Sequence, residues 1–326
     1  MIGTGSIAKR HIRNLRSLYP KANIVCVSSS GRKITASDVG ATSTSNSIED
    51  AILKKPDFAI IASPSNFHLI HASKFIILKI PILIEKPISA NYAELSKFKF
   101  DRKKDKIAVG YNLRFMPSAK SVKQIIESNA LGKISTVSAE VGQYLPDWRP
   151  GSDYRKGVSA QKKLGGGALL ELSHELDYLN WLFGRFTEVF AITSNSKILE
   201  IDVEDNVDAL MTNKNGTIFH LHLDFLQRSP CRYFKAVGEK GTLTWNLLNN
   251  EVSFHECQGT SKVIYSNPYY DWNEMYLDQL RTFELFTKGQ ADFESGINSS
   301  IEVMRLIEAI RLSNSQRSWV NLEEII

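Results

Sequence analysis

Over its first 111 residues the chain alternates short apolar runs with helix-spaced apolar positions, and no other feature constrains the fold as strongly. A strand and a helix repeated in this order form a parallel sheet covered by helices on both faces. We therefore predict an α/β fold with a doubly wound parallel sheet in this half. The predicted strands are residues 22–28 and 57–63, a strand that starts at residue 82 and carries Glu85 at its end, and residues 106–111.

From residue 112 the pattern becomes period-two alternation with turns between the runs, as expected of a large, mostly antiparallel open sheet. We predict a dinucleotide-binding domain over residues 1–111 and an α+β domain for substrate binding and oligomerisation over residues 112–326. The predicted strands of the second half are residues 133–144, 188–194, 206–212, 217–226, 233–238, 241–246 and 251–256, and its helices are 117–129, 168–183, 272–287 and 297–314.

Composition excludes several classes of protein. The 326 residues are 43% hydrophobic and carry a net charge of +5 without a basic stripe, so we expect no nucleic-acid partner. The longest apolar run, 75–84, contains Lys79 and is too short to span a membrane, and we expect no signal peptide. Three widely spaced cysteines predict a reduced, cytoplasmic protein, and no ligand spacing suggests a metal.

The amino terminus carries the pattern of a phosphate-binding turn. Gly3, Gly5 and Ala8 form GxGxxA at the start of a helix that begins near Ser6. The strand before this turn is reduced to Met1 and Ile2, and losing three or four buried apolar residues would cost about 5–12 kcal/mol. We therefore expect that the natural chain starts earlier, or that this version is inactive.

The loop after the second predicted strand indicates which dinucleotide is bound. Ser28, Ser29 and Arg32 stand where an NAD site would place an acidic residue, and their hydroxyl and guanidinium groups suit a 2′-phosphate. The sequence thus favours NADP over NAD. The alternative is a flexible serine-rich loop.

Two groups of ionisable residues are candidates for chemistry. Glu85 and Lys86 precede Pro87 at the carboxyl end of a predicted parallel strand, where ligands of such sheets bind. Glu171, His174 and Asp177, spaced by three, would share a helix face after a triple glycine. The alternatives are a surface Glu–Lys pair before a turn, and a core histidine beside a solvated acidic stripe.

Together these motifs resemble the Gfo/Idh/MocA oxidoreductases, which include glucose-fructose oxidoreductase and inositol dehydrogenase. The resemblance covers essentially the whole chain. It rests on GTGSIAKRH at 3–11, SPSNFH at 63–68, EKP at 85–87, GYNLRF at 110–115 and GGGALLELSHELD at 165–177.

The resemblance implies a Rossmann domain and a reversible hydride transfer between NAD(P) and a hydroxyl-bearing carbon of a sugar, sugar derivative or cyclitol. It implies that Lys86 contacts the substrate hydroxyl and the cofactor ribose. In the family, an Asp usually precedes the His by four residues. When His174 is aligned with that His, Leu170 occupies the aspartate position in this chain. His174 is the favoured acid/base, Glu171 the alternative, and Asp177 an orienting or structural residue.

The expected ligand contacts follow from these motifs and from an aromatic, basic segment around residues 144–155. Its rings and guanidinium groups suit a sugar, although a covering loop with packing aromatics would look the same. The expected cofactor-binding residues are Gly3, Gly5, Ser6, Ile7, Ser28, Ser29, Arg32, Ser63, Pro64, Asn66, His68, Glu85, Lys86 and Asn112. The expected substrate-binding residues are Lys86, Trp148, Arg149, Tyr154, Arg155 and His174.

Other functions remain open at this point. The shifted Glu171–His174 spacing would suit a non-catalytic dinucleotide-binding sensor or scaffold, and the short first strand a truncated inactive family member. Four apolar residues alternate with two histidines and give the open sheet at least one apolar face: Phe219, Leu221, Leu223 and Phe225. We expect this sheet to pair copies of the chain into a homodimer or homotetramer.

Overall fold

The computed structural model describes residues 1–101, 104–257 and 259–325. The chain divides into two compact units: residues 1–112 with 272–301, and residues 113–271 with 302–326. The segment 272–301 thus belongs to the first unit, whereas the sequence placed it in the second domain.

The helices and strands are numbered in chain order. The helices are α1 (Ser6–Leu18), α2 (Ala36–Val39), α3 (Ile48–Ile52), α4 (His68–Ile76), α5 (Tyr92–Lys97), α6 (Pro117–Glu127), α7 (Ala168–Glu171), α8 (His174–Phe183), α9 (Glu274–Thr287) and α10 (Ile297–Gln316). The strands are β1 (Val25–Val27), β2 (Ser43–Ser45), β3 (Ala59–Ile61), β4 (Ile82–Ile84), β5 (Ile107–Val109), β6 (Ile134–Gly142), β7 (Phe186–Ser194), β8 (Asn206–Asn213), β9 (Ile218–Asp224), β10 (Cys231–Gly238), β11 (Gly241–Asn246), β12 (Glu251–Glu256), β13 (Ser261–Ser266) and β14 (Val320–Asn321).

The first unit is built on parallel strands, which confirms the predicted α/β class. β1 pairs with β2, and β3, β4 and β5 form a second ladder. Ile2 joins the two ladders, since it bridges Val27 on one side and Ile61 on the other. Every residue of β3, β4 and β5 is buried, as expected of central strands with both faces covered.

Helix α9 packs within the first unit, and its contacts explain why residues 272–301 lie there. The Phe283 ring meets Phe58 edge-on, with 5.3 Å between centroids. The Lys106 ammonium donates to the Thr287 carbonyl oxygen at 2.5 Å. Aromatic burial of this kind stabilises a unit by several kcal/mol in total, and sequence order alone does not indicate it.

The second unit contains a nine-stranded sheet in the order β13-β12-β11-β10-β6-β9-β8-β7-β14. All its pairs are antiparallel except β6 with β9, so the prediction of a mostly antiparallel sheet is confirmed. Phe219, Leu221 and Leu223 are buried on one face of β9, and the intervening His220 points to the other face, where it is exposed. The edge strands β13 and β14 were not predicted.

One predicted helix is divided in two. The sequence predicted a continuous helix over 168–183, but α7 ends at Glu171 and α8 begins at His174. Glu171 and His174 therefore do not share a face of one continuous helix. No helix in the described part of the chain is long and apolar enough to cross a membrane.

Candidate functional site

In the first unit, the turn between Ile2 and α1 has the geometry of a phosphate-binding loop. Gly3 has φ +120°, and a Cβ there would lie 2.3 Å from the Ala62 carbonyl oxygen, so the fold itself requires this glycine. A Cβ on Gly5 would meet no described atom within 4 Å. The α1 amides begin at Ser6, which is exposed, and the half-buried Ile7 follows it. These residues fit a pyrophosphate held at a helix N-terminus.

A cluster of hydroxyls and one guanidinium lies beyond the carboxyl end of β1. Ser28 and Ser30 share a hydrogen bond of 3.2 Å between their hydroxyls, and Arg32 Nε donates to Ser30 Oγ at 3.2 Å. Arg32 Nη2 also reaches Thr4 Oγ1 at 3.5 Å. Ser29 is half-buried in the same loop. Thr4 and Ser30 were missed by the sequence analysis, although they lie beside predicted residues.

The segment that follows β3 contains Ser63, Pro64, Asn66 and His68. The His68 ring is 1% exposed, and its two nitrogens lie 2.8 Å from the carbonyl oxygens of Pro87 and Ser63. Ser63 Oγ is 2.9 Å from His71 Nδ1, and burial lowers the pKa of His71 to about 4. The backbone of the fold therefore occupies both His68 nitrogens.

At the end of β4, Glu85 is held by a histidine that the sequence analysis did not select. His11 Nε2 lies 2.6 Å from Glu85 Oε1, and the His11 ring is fully buried. The other carboxylate oxygen, Oε2, accepts from the Lys86 backbone N–H at 3.3 Å. In the sequence, only the helical spacing of His11 with Ile12 and Leu15 indicated that His11 lies on the buried face of α1.

Lys86 itself is half-buried, and Asn112 is buried close to Tyr276 of α9. The Tyr276 hydroxyl hydrogen-bonds Asn112, and burial, followed by the Glu85 charge, raises its pKa. Tyr276 lies 164 positions along the chain from Asn112, so sequence reasoning had no means of pairing them.

In the second unit, the triple glycine precedes α7 and packs against the half-buried carboxylate of Glu204. Gly167 has φ +112°, and a Cβ there would lie 2.3 Å from Glu204 Oε1. The same oxygen accepts from the Leu169 N–H at 3.2 Å, so Glu204 caps the start of α7. Burial raises the pKa of Glu204. This residue was also missed.

The three predicted ionisable residues of α7 and α8 have different surroundings. Glu171 is half-buried and accepts from Ser159 Oγ at 3.1 Å, and the half-buried His174 is the first residue of α8. Asp177 is 1% exposed and accepts from Arg114 Nε at 2.8 Å and Nη2 at 2.6 Å. Burial raises the pKa of Asp177, and the Arg114 guanidinium opposes this rise.

Most of the predicted substrate residues of the second unit surround one cavity. Trp148, Arg149 and Tyr154 line a space of about 420 Å³ together with Ser159, which bonds Glu171. Trp148 is fixed by a 3.3 Å bond from Nε1 to the Gln143 carbonyl and by an edge contact with Phe225. The cavity thus combines aromatic faces with a cationic side chain.

Arg155 is placed differently from its neighbours. It is exposed and pairs with Asp153 and Glu200, each at 3.0 Å. Within residues 1–101, 104–257 and 259–325, no cluster of three His, Cys, Asp or Glu side chains could hold a metal ion.

Comparison with known proteins identifies the family of both domains. Residues 1–111 match the family described as "Oxidoreductase family, NAD-binding Rossmann fold", and residues 119–244 match the "GFO/IDH/MocA C-terminal domain". The rhizopine catabolism protein MocA of Rhizobium meliloti is 26% identical over 216 residues, covering 64% of each chain. Levoglucosan dehydrogenase of Pseudarthrobacter phenanthrenivorans is 25% identical over 333 residues, covering 86% of this chain and 84% of that protein.

The fold is also that of a solved structure. Levoglucosan dehydrogenase in complex with NADH and levoglucosan superimposes with a TM-score of 0.85 at 19% identity, covering 98% of this chain and 97% of that one. With both domains matched in order, the chain belongs to the GFO/IDH/MocA family of NAD(P)-dependent oxidoreductases.

Proposed function

We propose that this oxidoreductase transfers a hydride between NADP and a hydroxyl-bearing carbon of a sugar, a sugar derivative or a cyclitol. The observation that carries the proposal is the open space at Gly5, where α1 begins and a Cβ would meet no described atom. A backbone that must be approached closely by a diphosphate explains a glycine that the fold does not need. The relative that binds NADH and levoglucosan supports a sugar substrate.

The preference for NADP rests on the Arg32 cluster. Ser28, Ser30 and Thr4 offer hydroxyl donors around the guanidinium of Arg32. Charge-assisted bonds from such a set suit a 2′-phosphate, whereas a bare ribose diol is usually bound by a carboxylate.

The chemistry is divided between the cofactor and the protein. When bound, the nicotinamide ring accepts or donates the hydride. His174 takes the proton of the substrate hydroxyl, since a neutral imidazole is suited to this near pH 7. The Lys86 ammonium stabilises the developing alkoxide. Glu171, held by Ser159, is the alternative base.

Two further assignments concern Asp177 and the substrate. Both carboxylate oxygens of Asp177 accept hydrogen bonds from Arg114. We therefore assign Asp177 the role of positioning α8 and not that of an acid or base. Trp148 and Tyr154 offer faces on which the CH groups of a sugar ring can stack, and Arg149 offers donors to its oxygens.

A fluorescence titration of the whole chain with NADPH and with NADH tests the cofactor assignment. We expect tighter NADPH binding, and a loss of about 10- to 100-fold for NADPH alone in Arg32→Ser, because bonds to charged groups contribute about 1.5–3 kcal/mol. Arg13→Ser, which removes an exposed arginine of α1, is the matched control. Tighter NADH binding, or equal losses for both cofactors, would contradict the assignment.

A non-catalytic dinucleotide-binding sensor is the second candidate. The interruption between α7 and α8, which separates Glu171 from His174, is the observation that favours it. Cofactor binding without oxidation of any sugar across a broad panel would support this function over catalysis.

We also propose that the open face of the nine-stranded sheet joins copies of the chain as a homodimer or homotetramer. Ile192 and Leu210 are exposed there beside a cavity of about 370 Å³, and His220 lines the same cavity. Apolar exposure of this kind marks association surfaces. A monomer by light scattering at micromolar concentration would contradict the proposal.

A further inference from the structure

His68 makes an unusual pair of contacts. It is the first residue of α4, its ring is buried, and each ring nitrogen lies 2.8 Å from a backbone carbonyl oxygen. A carbonyl oxygen can only accept a hydrogen bond, and a neutral imidazole carries a single N–H. A neutral ring would therefore set a lone pair against the second oxygen, whereas an imidazolium donates to both.

The two carbonyls belong to the ends of neighbouring strands. Ile61 of β3 pairs with Ile84 of β4, and the ladder continues through the Glu85 N–H to the Ile61 carbonyl at 2.9 Å. Ser63 and Pro87 follow directly beyond these ends. The His68 ring thus ties the two strand ends together at the residue after Lys86.

The residue before Lys86 is tied in the same way. Glu85 is bonded through its carboxylate to the buried His11 of α1 at 2.6 Å. Histidines therefore hold the residues on both sides of Lys86: His11 bonds Glu85, and His68 contacts the Pro87 carbonyl. Lys86 thus lies on a rigid part of the backbone and not on a mobile loop.

We propose that His68 is a positioning residue for Lys86 and that it acts as an imidazolium that donates to the Ser63 and Pro87 carbonyls. The proposal rests on the proposed function, because it assigns His68 an effect on catalysis through Lys86.

The charges around His68 have opposing effects. Burial is the largest effect and lowers the pKa of His68 overall; the two carbonyl bonds and the nearby Glu85 oppose this, and Lys86 adds to it. The neighbouring His71, with a pKa of about 4, is neutral at pH 7 and adds no second cation. The geometry points the other way, because only an imidazolium can donate to both carbonyl oxygens at 2.8 Å, and this geometry carries the proposal.

The protonation state is measured without any substrate. In long-range proton–nitrogen spectra of the full chain labelled with ¹⁵N-histidine, we expect both His68 nitrogens to carry protons at pH 7. His68→Asn identifies the signal, and His255→Asn, which removes an exposed histidine of β12, is the control. A bare ring nitrogen at pH 7 would overturn the proposal.

The positioning role is measured by a double-mutant cycle with Lys86→Ala. We expect His68→Asn to lower kcat about 10- to 100-fold, as small misplacements of a catalytic group do, and to change KM for NADP less than kcat. In the Lys86→Ala background the same change should alter kcat by no more than about twofold. Equal losses in both backgrounds would overturn the role.

The two experiments distinguish a wrong role for His68 from a wrong proposed function. If the wild-type chain oxidises no sugar, the function fails, and the nitrogen spectra still decide whether His68 is doubly protonated. If the wild type is active and its His68 is singly protonated, only the inference fails.

Discussion

Replacing Arg114 with methionine is expected to destabilise the second unit by about 3–5 kcal/mol, the usual cost of breaking a buried ion pair by removing one partner. Asp177 is 1% exposed, and both its oxygens accept from Arg114, at 2.8 and 2.6 Å. Without the guanidinium, a carboxylate whose pKa is already raised by burial is left uncompensated. A protonated Asp177 carries no charge, so the deficit should shrink as pH falls toward about 4.

Thermal unfolding followed by intrinsic tryptophan fluorescence measures this loss. Trp181 is one of five tryptophans that contribute to the signal, and the Arg114 guanidinium carbon lies 5.6 Å from its ring centroid. For a domain of about 150–250 residues, each kcal/mol shifts Tm by about 2–4 °C, which predicts a decrease of about 6–20 °C. The double variant Arg114→Met with Asp177→Leu should be more stable than Arg114→Met alone, because it leaves no buried charge.

Lys123→Met is the matched control for this experiment. The Lys123 ammonium lies 4.4 Å from the same Trp181 ring and pairs with Glu127 at the surface, so its loss should cost less than about 1 kcal/mol. A loss below about 1 kcal/mol for Arg114→Met, or a double variant less stable than Arg114→Met, would refute the reasoning.

Three further predictions concern the phosphate-binding turn and the sheet face. Gly3→Ala should lower the free energy of unfolding by about 3 kcal/mol, because its Cβ meets a carbonyl oxygen at positive φ. Gly5→Ala should leave stability within about 0.5 kcal/mol and weaken NADPH binding, so unchanged binding would count against the cofactor site. His222 bonds Asp224 and Asp208, and its pKa is raised to about 9. Its stabilisation, about 1 kcal/mol after solvent screening, is present below pH 6.5 and lost as pH rises through 9. Urea unfolding at both ends of this range and an NMR titration measure it, with Asp208→Asn as comparison; a His222 that titrates near 6.5 would contradict it.

Much of the fold follows from local pattern. Buried parallel strands are continuous apolar runs, so Ile82–Ile84 was recognisable, and the alternation of β9 indicated a sheet with one open face. The edge strand β13 was missed because Val263 and Ile264 are exposed on it and no buried face imposes alternation.

The site was predictable only where a motif occupies neighbouring positions. Lys86 stands within such a motif, but the groups that hold its flanking residues, His11 and His68, depend on how strand ends approach in space. The break between α7 and α8 carries no glycine or proline signal. It accompanies the bond from Ser159 to Glu171, a tertiary contact that helical periodicity does not contain.

The most direct test of the account is cofactor-dependent turnover by the whole chain, followed by nicotinamide absorbance with a panel of pyranoses, anhydrosugars and cyclitols. We expect reduction of NADP with at least one of them, and a loss in kcat of at least about 100-fold in Lys86→Ala. The control Lys97→Ala, an exposed lysine of α5, should match the wild type. A folded, cofactor-binding chain that oxidises no member of the panel, or a Lys86→Ala variant as fast as the wild type, would contradict the account.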